Sequence, residues 1–198
     1  MSDASTGPGL VEGVGMADAT AGPVLFLDRD GVINVNHGYV HSPEQTEWVP
    51  GIFELCALAQ ERGYGVVIAT NQAGIARGYY DIPTFEAYTR WMHAQFAQRG
   101  ISIAATLFCP HHPDAGAGPL TVHCTCRKPA PGMFIEAARR YPIDLPHSVL
   151  VGDKISDMRA GHAAGVGRLF LLAGDTGKGD APHNTVTVAD LRSVQRFL

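Results

Sequence analysis

Asp28 and Asp30 stand two positions apart in FLDRDG, residues 26–31, directly after the apolar run VLFL. Carboxylates that close repel one another unless a cation, a proton or water lies between them. Another acid, Asp153, ends the run HSVLVGD at 147–153, with Lys154 next and Asp157 three residues further on. Such acids can serve merely as helix caps and strand terminators. Gathered on one rim, they would form a site for Mg²⁺, which takes oxygen ligands and is usually shared with a substrate phosphate. TNQ at 70–72 and RK at 127–128 add what a phosphate needs. The Thr70 hydroxyl and nearby backbone N–H groups can hold phosphoryl oxygens, and Lys128 can neutralise charge developing on the transferring group. A carboxylate can itself attack phosphorus, while a second acid protonates the leaving oxygen and later activates water.

A different chemistry is written at Cys109-Pro-His111 and Cys124-Thr-Cys126. Three sulfurs and one imidazole make a tetrahedral zinc set, and a closed four-ligand site is structural. His111, His112 and His123 are rival donors for the fourth position. Unpaired buried thiols or a disulfide are the alternatives. A metal staple would explain how a long Gly/Pro-rich loop with little core of its own holds its shape. It would also pin the chain at Arg127 and Lys128, next to an anionic substrate. Arg127 carries the planar fork suited to a second phosphate or to sugar oxygens. Cys56, by contrast, reads as a small buried residue of a helix.

The elements that must position these groups alternate along the chain. Apolar runs at 24–28, 65–71, 101–109, 147–153 and 166–172 read as buried strands. Helical spacing marks 50–63, 83–100, 131–140, 155–165 and 189–198, with Asp81 as an N-cap. Tyr88, Trp91, Met92 and Phe96 form a core-facing stripe. The pattern predicts an α/β fold, a Rossmann-like three-layer sandwich with a mostly parallel central sheet. Ligands of such sheets bind beyond the carboxyl ends of the strands. Asp28, Asn71, Cys109 and Asp153 all stand at such ends. The connections 34–49 and 110–132 are long for such a sheet, which points to function.

The bulk properties narrow the classes. The chain has 198 residues, 45% of them hydrophobic and 17% charged, with a net charge of −4. That predicts one domain over 23–198, no nucleic acid as a bulk partner and, without a long apolar run, no membrane span. Residues 1–22, small and Gly-rich, read as a flexible leader outside the domain, with Met16 as an alternative start. Cysteines clustered with histidines point to metal binding in a reducing compartment, hence the cytoplasm. A monomer is the default at this size.

FLDRDGVIN, the strand-ending TN, the Lys of CRKP and VGDKISD resemble the four motifs of the haloacid dehalogenase-like (HAD) phosphatases. DRDGVINVNHGYV, TNQAGIARG, CPHHP and CTCRKPAPGM extend the resemblance to the branch that removes the C7 phosphate of a heptose 1,7-bisphosphate. The match spans residues 23–198. The resemblance implies a HAD-like fold with no large cap and with a zinc-binding loop insert at 109–126. It implies Asp28 as nucleophile and Asp30 as general acid and base. Mg²⁺ would be held by Asp28, the Asp30 backbone carbonyl and Asp153. Thr70 and Lys128 would bind the phosphoryl group. It favours Cys109, His111, Cys124 and Cys126 as the zinc ligands. Asn36, His37, Tyr39, Asn71, Gln72, Arg77, Arg127 and Lys154 are the expected substrate contacts, and a sugar bisphosphate is the expected partner. The product would feed nucleotide-activated heptose synthesis for lipopolysaccharide or related glycans. The family's usual Thr after DxDG is Val32 here, so that hydroxyl is absent. Lys154 replaces a commonly acidic or small residue, which leaves open whether Asp157 reaches the metal. A histidinol-phosphate phosphatase is the nearest rival. A DNA 3′-end phosphatase would want a basic surface, and a non-enzymatic binding module would not need both Asp28 and Asp30.

Overall fold

The computed structural model describes residues 6–13, 22–116, 118–174, 176–177 and 179–198. Its strands are β1 (Gly9–Glu12), β2 (Val24–Leu27), β3 (Gly65–Asn71), β4 (Ala105–Cys109), β5 (Val149–Gly152), β6 (Arg168–Leu172) and β7 (Thr185–Val188). They form one sheet in the order β1-β4-β3-β2-β5-β6-β7. Every pairing is parallel except that of β1 with β4.

Helices cover both faces because side chains alternate along each strand. Leu25 and Leu27 of β2 pack with Leu55 of α1 (Ile52–Glu61), Met92 of α3 (Ile82–Ala97) and Val194 of α6 (Leu191–Val194). Val24 and Phe26 face the other way, toward Phe134 of α4 (Gly132–Arg140) and Met158 of α5 (Ile155–Ala164). This is the expected three-layer α/β arrangement. The short helix α2 (Ala73–Ala76) follows β3 at the strand ends. The Asp81 carboxylate accepts from the Thr84 amide at 2.8 Å and caps α3. No helix among the described residues is long and apolar enough to cross a membrane.

The N-terminal segment requires a correction. The sequence pattern puts residues 1–22 outside the domain, yet Gly9–Glu12 adds an edge strand to the sheet. Gly9 fits because a Cβ there would come within 2.2 Å of the Phe108 ring, and Val11 is buried. The Gly13 amide extends the pairing to the Ala104 carbonyl at 3.0 Å. Residues 1–5 and 14–21, including Met16, lie outside the described residues. β4 begins at Ala105, not 101, because its register on β3 starts with Val67 opposite Ala105. The final predicted helix divides into α6 and a 3₁₀ turn at Gln195–Phe197.

Candidate active site

β2, β3 and β5 deliver the acids and their partners to one rim. The Asp28 amide donates to the Val151 carbonyl at 3.0 Å, which ties the end of β2 to β5. The chain then turns tightly: the Arg29 carbonyl accepts from the amides of Val32, Ile33 and Asn34. Gly31 has φ 91°, and a Cβ on it would come within 2.4 Å of Asp153 Oδ2. Glycine is therefore what lets the DxD turn approach the β5 loop.

Lys128 reaches this rim from the far end of the 110–132 loop. It is 3% exposed, and its Nζ lies 2.8 Å from Asp28 Oδ1, 2.7 Å from Asp157 Oδ1 and 2.7 Å from the Ala69 carbonyl. Burial alone would lower its pKa, but the carboxylates of Asp157 and Asp28 outweigh that and hold it raised and charged. The Asn71 side chain clamps the Lys128 backbone from both sides, donating to its carbonyl at 3.1 Å and accepting from its amide at 3.0 Å. Asp157 uses its second oxygen on the Lys154 amide at 3.0 Å. Both Asp157 oxygens thus meet protein donors, one the Lys128 Nζ and the other the Lys154 amide.

Oxygens of Asp28, Asp153 and Asp157 lie within 4.8 Å of one another. One lysine cannot balance three carboxylates. Burial, then Asp28 and Asp157, push the Asp153 carboxyl up to about 8, and burial likewise raises Asp28. Asp153 Oδ1 is buried without a hydrogen-bond partner. A hard divalent cation with oxygen ligands fits this surplus charge and this free oxygen.

Asp30 sits apart from that cluster in a cage of donors. Arg29 Nη2 approaches its two oxygens at 2.7 and 2.9 Å, Asn34 Nδ2 at 3.1 Å and Gln72 Nε2 at 3.3 Å. Gln72 also donates to Thr70 Oγ1 at 2.8 Å and accepts from the Tyr80 hydroxyl at 2.6 Å. The Thr70 hydroxyl therefore keeps its own proton for a ligand. Arg29 is 1% exposed, and its guanidinium lies over the rings of Phe85 and Tyr88. Sequence reasoning missed Arg29, Asn34 and Tyr80. Arg29 lies in the tight turn, and nothing local announces the rings 56 and 59 positions away that cover it.

These groups line a cleft of about 450 Å³. Asp28, Asp30, Thr70, Lys128 and Asp157 form its floor, and Asn36, Tyr39, Arg127 and Lys154 its walls. Asn71 and Gln72 also line it, with side chains spent on Lys128, Thr70 and Asp30. Two expected substrate contacts fall outside this lining. His37 is exposed and pairs with Glu47 at 2.9 Å. Arg77 follows α2 on the outside and is exposed.

The cysteine loop closes on itself beside this cleft. Sγ of Cys126 lies 3.4 Å from Cys124 Sγ and 3.4 Å from His111 Nδ1. Cys109 Sγ lies 3.5 Å from Cys124 Sγ and 3.7 Å from His111 Nδ1. A tetrahedral zinc site implies donor separations of about 3.5–3.8 Å. The hydrogen bond from Cys126 pushes the Cys109 thiol down to about 5, while Cys126, through that same bond, and Cys124, through burial, are pushed up. A bound cation would favour the thiolate form of all three. His112 turns away, its Nδ1 accepting from the Asp114 amide. Arg127 Nη1 donates to the His111 carbonyl at 3.2 Å, so the cluster directly braces a wall of the cleft.

Residues 125–194, which carry Lys128, Asp153 and Asp157 together, match the HAD-hydrolase-like family model. The class defined by fold and rim is therefore a HAD-like phosphatase, and the relatives narrow it further. Over 183 residues the chain is 45% identical to the D-glycero-beta-D-manno-heptose-1,7-bisphosphate 7-phosphatase of Vibrio cholerae, covering 90% of this chain and 97% of that one. Over 174 residues it is 44% identical to the D-glycero-alpha-D-manno-heptose-1,7-bisphosphate 7-phosphatase of Burkholderia mallei, covering 88% and 92%. The chain belongs to the D-glycero-D-manno-heptose-1,7-bisphosphate 7-phosphatase family of HAD-like hydrolases. Among solved structures, a HAD-like protein of Mesorhizobium loti superposes with a TM-score of 0.85 at 34% identity, covering 98% of this chain and 94% of that one. The D,D-heptose 1,7-bisphosphate phosphatase of B. bronchiseptica, complexed with magnesium and phosphate, gives a TM-score of 0.76 at 37% identity, covering 88% and 97%.

Proposed function

We propose that the protein hydrolyses the C7 phosphate of D-glycero-D-manno-heptose 1,7-bisphosphate to heptose 1-phosphate and inorganic phosphate, through an aspartyl phosphate on Asp28. The observation that carries this reading is the division of labour between the two acids of the DxD turn. Asp28 is held against Lys128 in the acid cluster, and Asp30 is caged separately by Arg29, Asn34 and Gln72. Two carboxyl groups in different surroundings can take different roles.

In the first step an Asp28 oxygen bonds to phosphorus and the bond from phosphorus to the C7 oxygen breaks. Asp30 gives its proton to that oxygen, so a neutral alcohol leaves. In the second step the Asp30 carboxylate takes a proton from water as the water oxygen attacks phosphorus. The bond to Asp28 breaks, phosphate departs and both acids return to their starting forms. Lys128 and the Thr70 hydroxyl hold the phosphoryl oxygens throughout, and Asn71 and Asp157 hold Lys128. Mg²⁺, held by Asp28, Asp153 and the Asp30 carbonyl, would supply the positive charge that lets a carboxylate approach a phosphate.

The donor set of the cysteine loop favours zinc in a structural role, and reduced thiols there fit the cytoplasm. A monomer is the default expectation for a phosphatase of this size. The product would enter nucleotide-activated heptose synthesis for lipopolysaccharide. Relatives named for both anomers stand at 45% and 44% identity, so overall similarity does not choose between them. The deciding experiment compares phosphate release from both anomers of the bisphosphate and from histidinol phosphate. A bisphosphate preference is expected, and a preference for histidinol phosphate overturns the substrate assignment.

A further inference from the structure

The cleft has no capping domain among the described residues, so something else must hold its sugar-side wall. That wall is the loop 36–41, which contributes Asn36, Gly38 and Tyr39 to the lining. Its backbone is tightly wound. Gly38 and Tyr39 have φ of 80° and 55°, and Tyr39 is the single non-glycine residue with positive φ among those described. A bulky side chain in that conformation persists only where its surroundings fix it.

At the root of the loop, Arg29 Nη2 donates to the Val40 carbonyl at 2.7 Å, and the Val40 side chain is buried. The tip is held by rings. Tyr39 meets Tyr79 edge to face, centroids 4.7 Å apart, and His41 stacks on Tyr80, also at 4.7 Å. The His41 ring further contacts the Tyr39 carbonyl at 2.7 Å. Both partner rings come from the turn between α2 and α3, so two successive tyrosines fasten two loops that are distant in sequence. Tyr80 continues inward through Gln72 to Thr70 and Asp30. Tyr79 has no such inward link. It is 56% exposed, against 41% for Tyr39, and a ring that open does little for the core.

We propose that Tyr79 is a positioning residue for substrate selection: it braces the strained Tyr39 over the cleft, forming with the His41–Tyr80 stack a clasp that does the work of a cap. The assignment rests on the phosphatase reading but not on the identity of the sugar. A substrate with a body reaching the wall needs the clasp, and a phosphate donor too small to reach it does not.

The test compares Tyr79→Ala and Tyr79→Phe with the wild type on two substrates. One is acetyl phosphate, which has no sugar portion. The other is whichever of heptose 1,7-bisphosphate and histidinol phosphate the wild type prefers, so a wrong substrate assignment alters the wild-type rates and still leaves a ratio to measure. Loss of the ring pair is expected to raise KM for the large substrate about 2- to 10-fold, the equivalent of one aromatic pair. Its kcat, the acetyl phosphate kinetics and Tm should stay near wild type, and Tyr79→Phe should restore KM. An unchanged KM, or a parallel loss on acetyl phosphate, overturns the proposal.

Discussion

Asp157 grips Lys128 at 2.7 Å in a contact closed to solvent, the two residues being 1% and 3% exposed. The lysine is therefore shared between this carboxylate and Asp28, and its position depends on both. Replacing Asp157 with Asn keeps the volume and removes the charge. Lys128 then falls wholly to Asp28, the group that must be free to attack. We expect kcat to fall at least about 10-fold, with a stability loss of up to about 3 kcal/mol in urea denaturation as a buried pair is broken. Unaltered kcat would mean that Asp157 is not what orients the lysine.

Asp28→Asn tests the covalent route. The amide is isosteric but a poor nucleophile, so turnover should vanish while folding and bound zinc persist. Phosphate release and elemental analysis on one preparation give both answers. Residual turnover at the wild-type rate would rule out an aspartyl phosphate.

His93 gives the fold a pH limit of its own. It lies against β4 with Nε2 2.8 Å from Thr106 Oγ1, and burial lowers its pKa from 6.5 to about 4. Above 6.5 the imidazole is neutral whether the chain is folded or not, and the stability is fully present. As pH falls from 6.5 to about 4, the unfolded chain takes up a proton that the folded one refuses, and about 3 kcal/mol is lost. Urea titrations of wild type and His93→Gln across that window should show the steeper loss in the wild type. Equal slopes would assign the acid sensitivity elsewhere.

Cys124→Ala should release the metal and loosen the wall of the cleft together, because Arg127 is braced on the His111 carbonyl. We expect less zinc, a lower Tm and a KM raised more than kcat is lowered. Undiminished metal content would show that the ligands lie elsewhere.

How much of this could be read from the chain depended on how far apart the partners lie. Asp28 and Asp153 were legible because each ends a continuous apolar run, and a run of that length bounded by an acid is the local mark of a buried parallel strand reaching its rim. The Cys/His cluster was legible through its spacing, though the choice of His111 over His112 came from the resemblance. β7 was missed because TVTV at the sheet edge leaves its middle residues exposed and carries no buried run. β1 was missed because four residues in a Gly-rich segment gain their order from pairing with Ala105–Phe108 of a strand distant in sequence. The role of Arg29 escaped for the same reason: it is set by Val40, Phe85 and Tyr88, contacts that no local pattern encodes. His37 and Arg77 lie outside the cleft lining, and motif membership alone does not say which side of a turn a residue faces.

β1 runs against the direction of every other strand, and it lies along the border of the sheet nearest the metal loop. A polypeptide shortened past Glu12 would strip that border and leave the amides and carbonyls of β4 open to a strand from another molecule. Where translation starts would then decide how readily the protein aggregates, with no change to a single residue that handles phosphate.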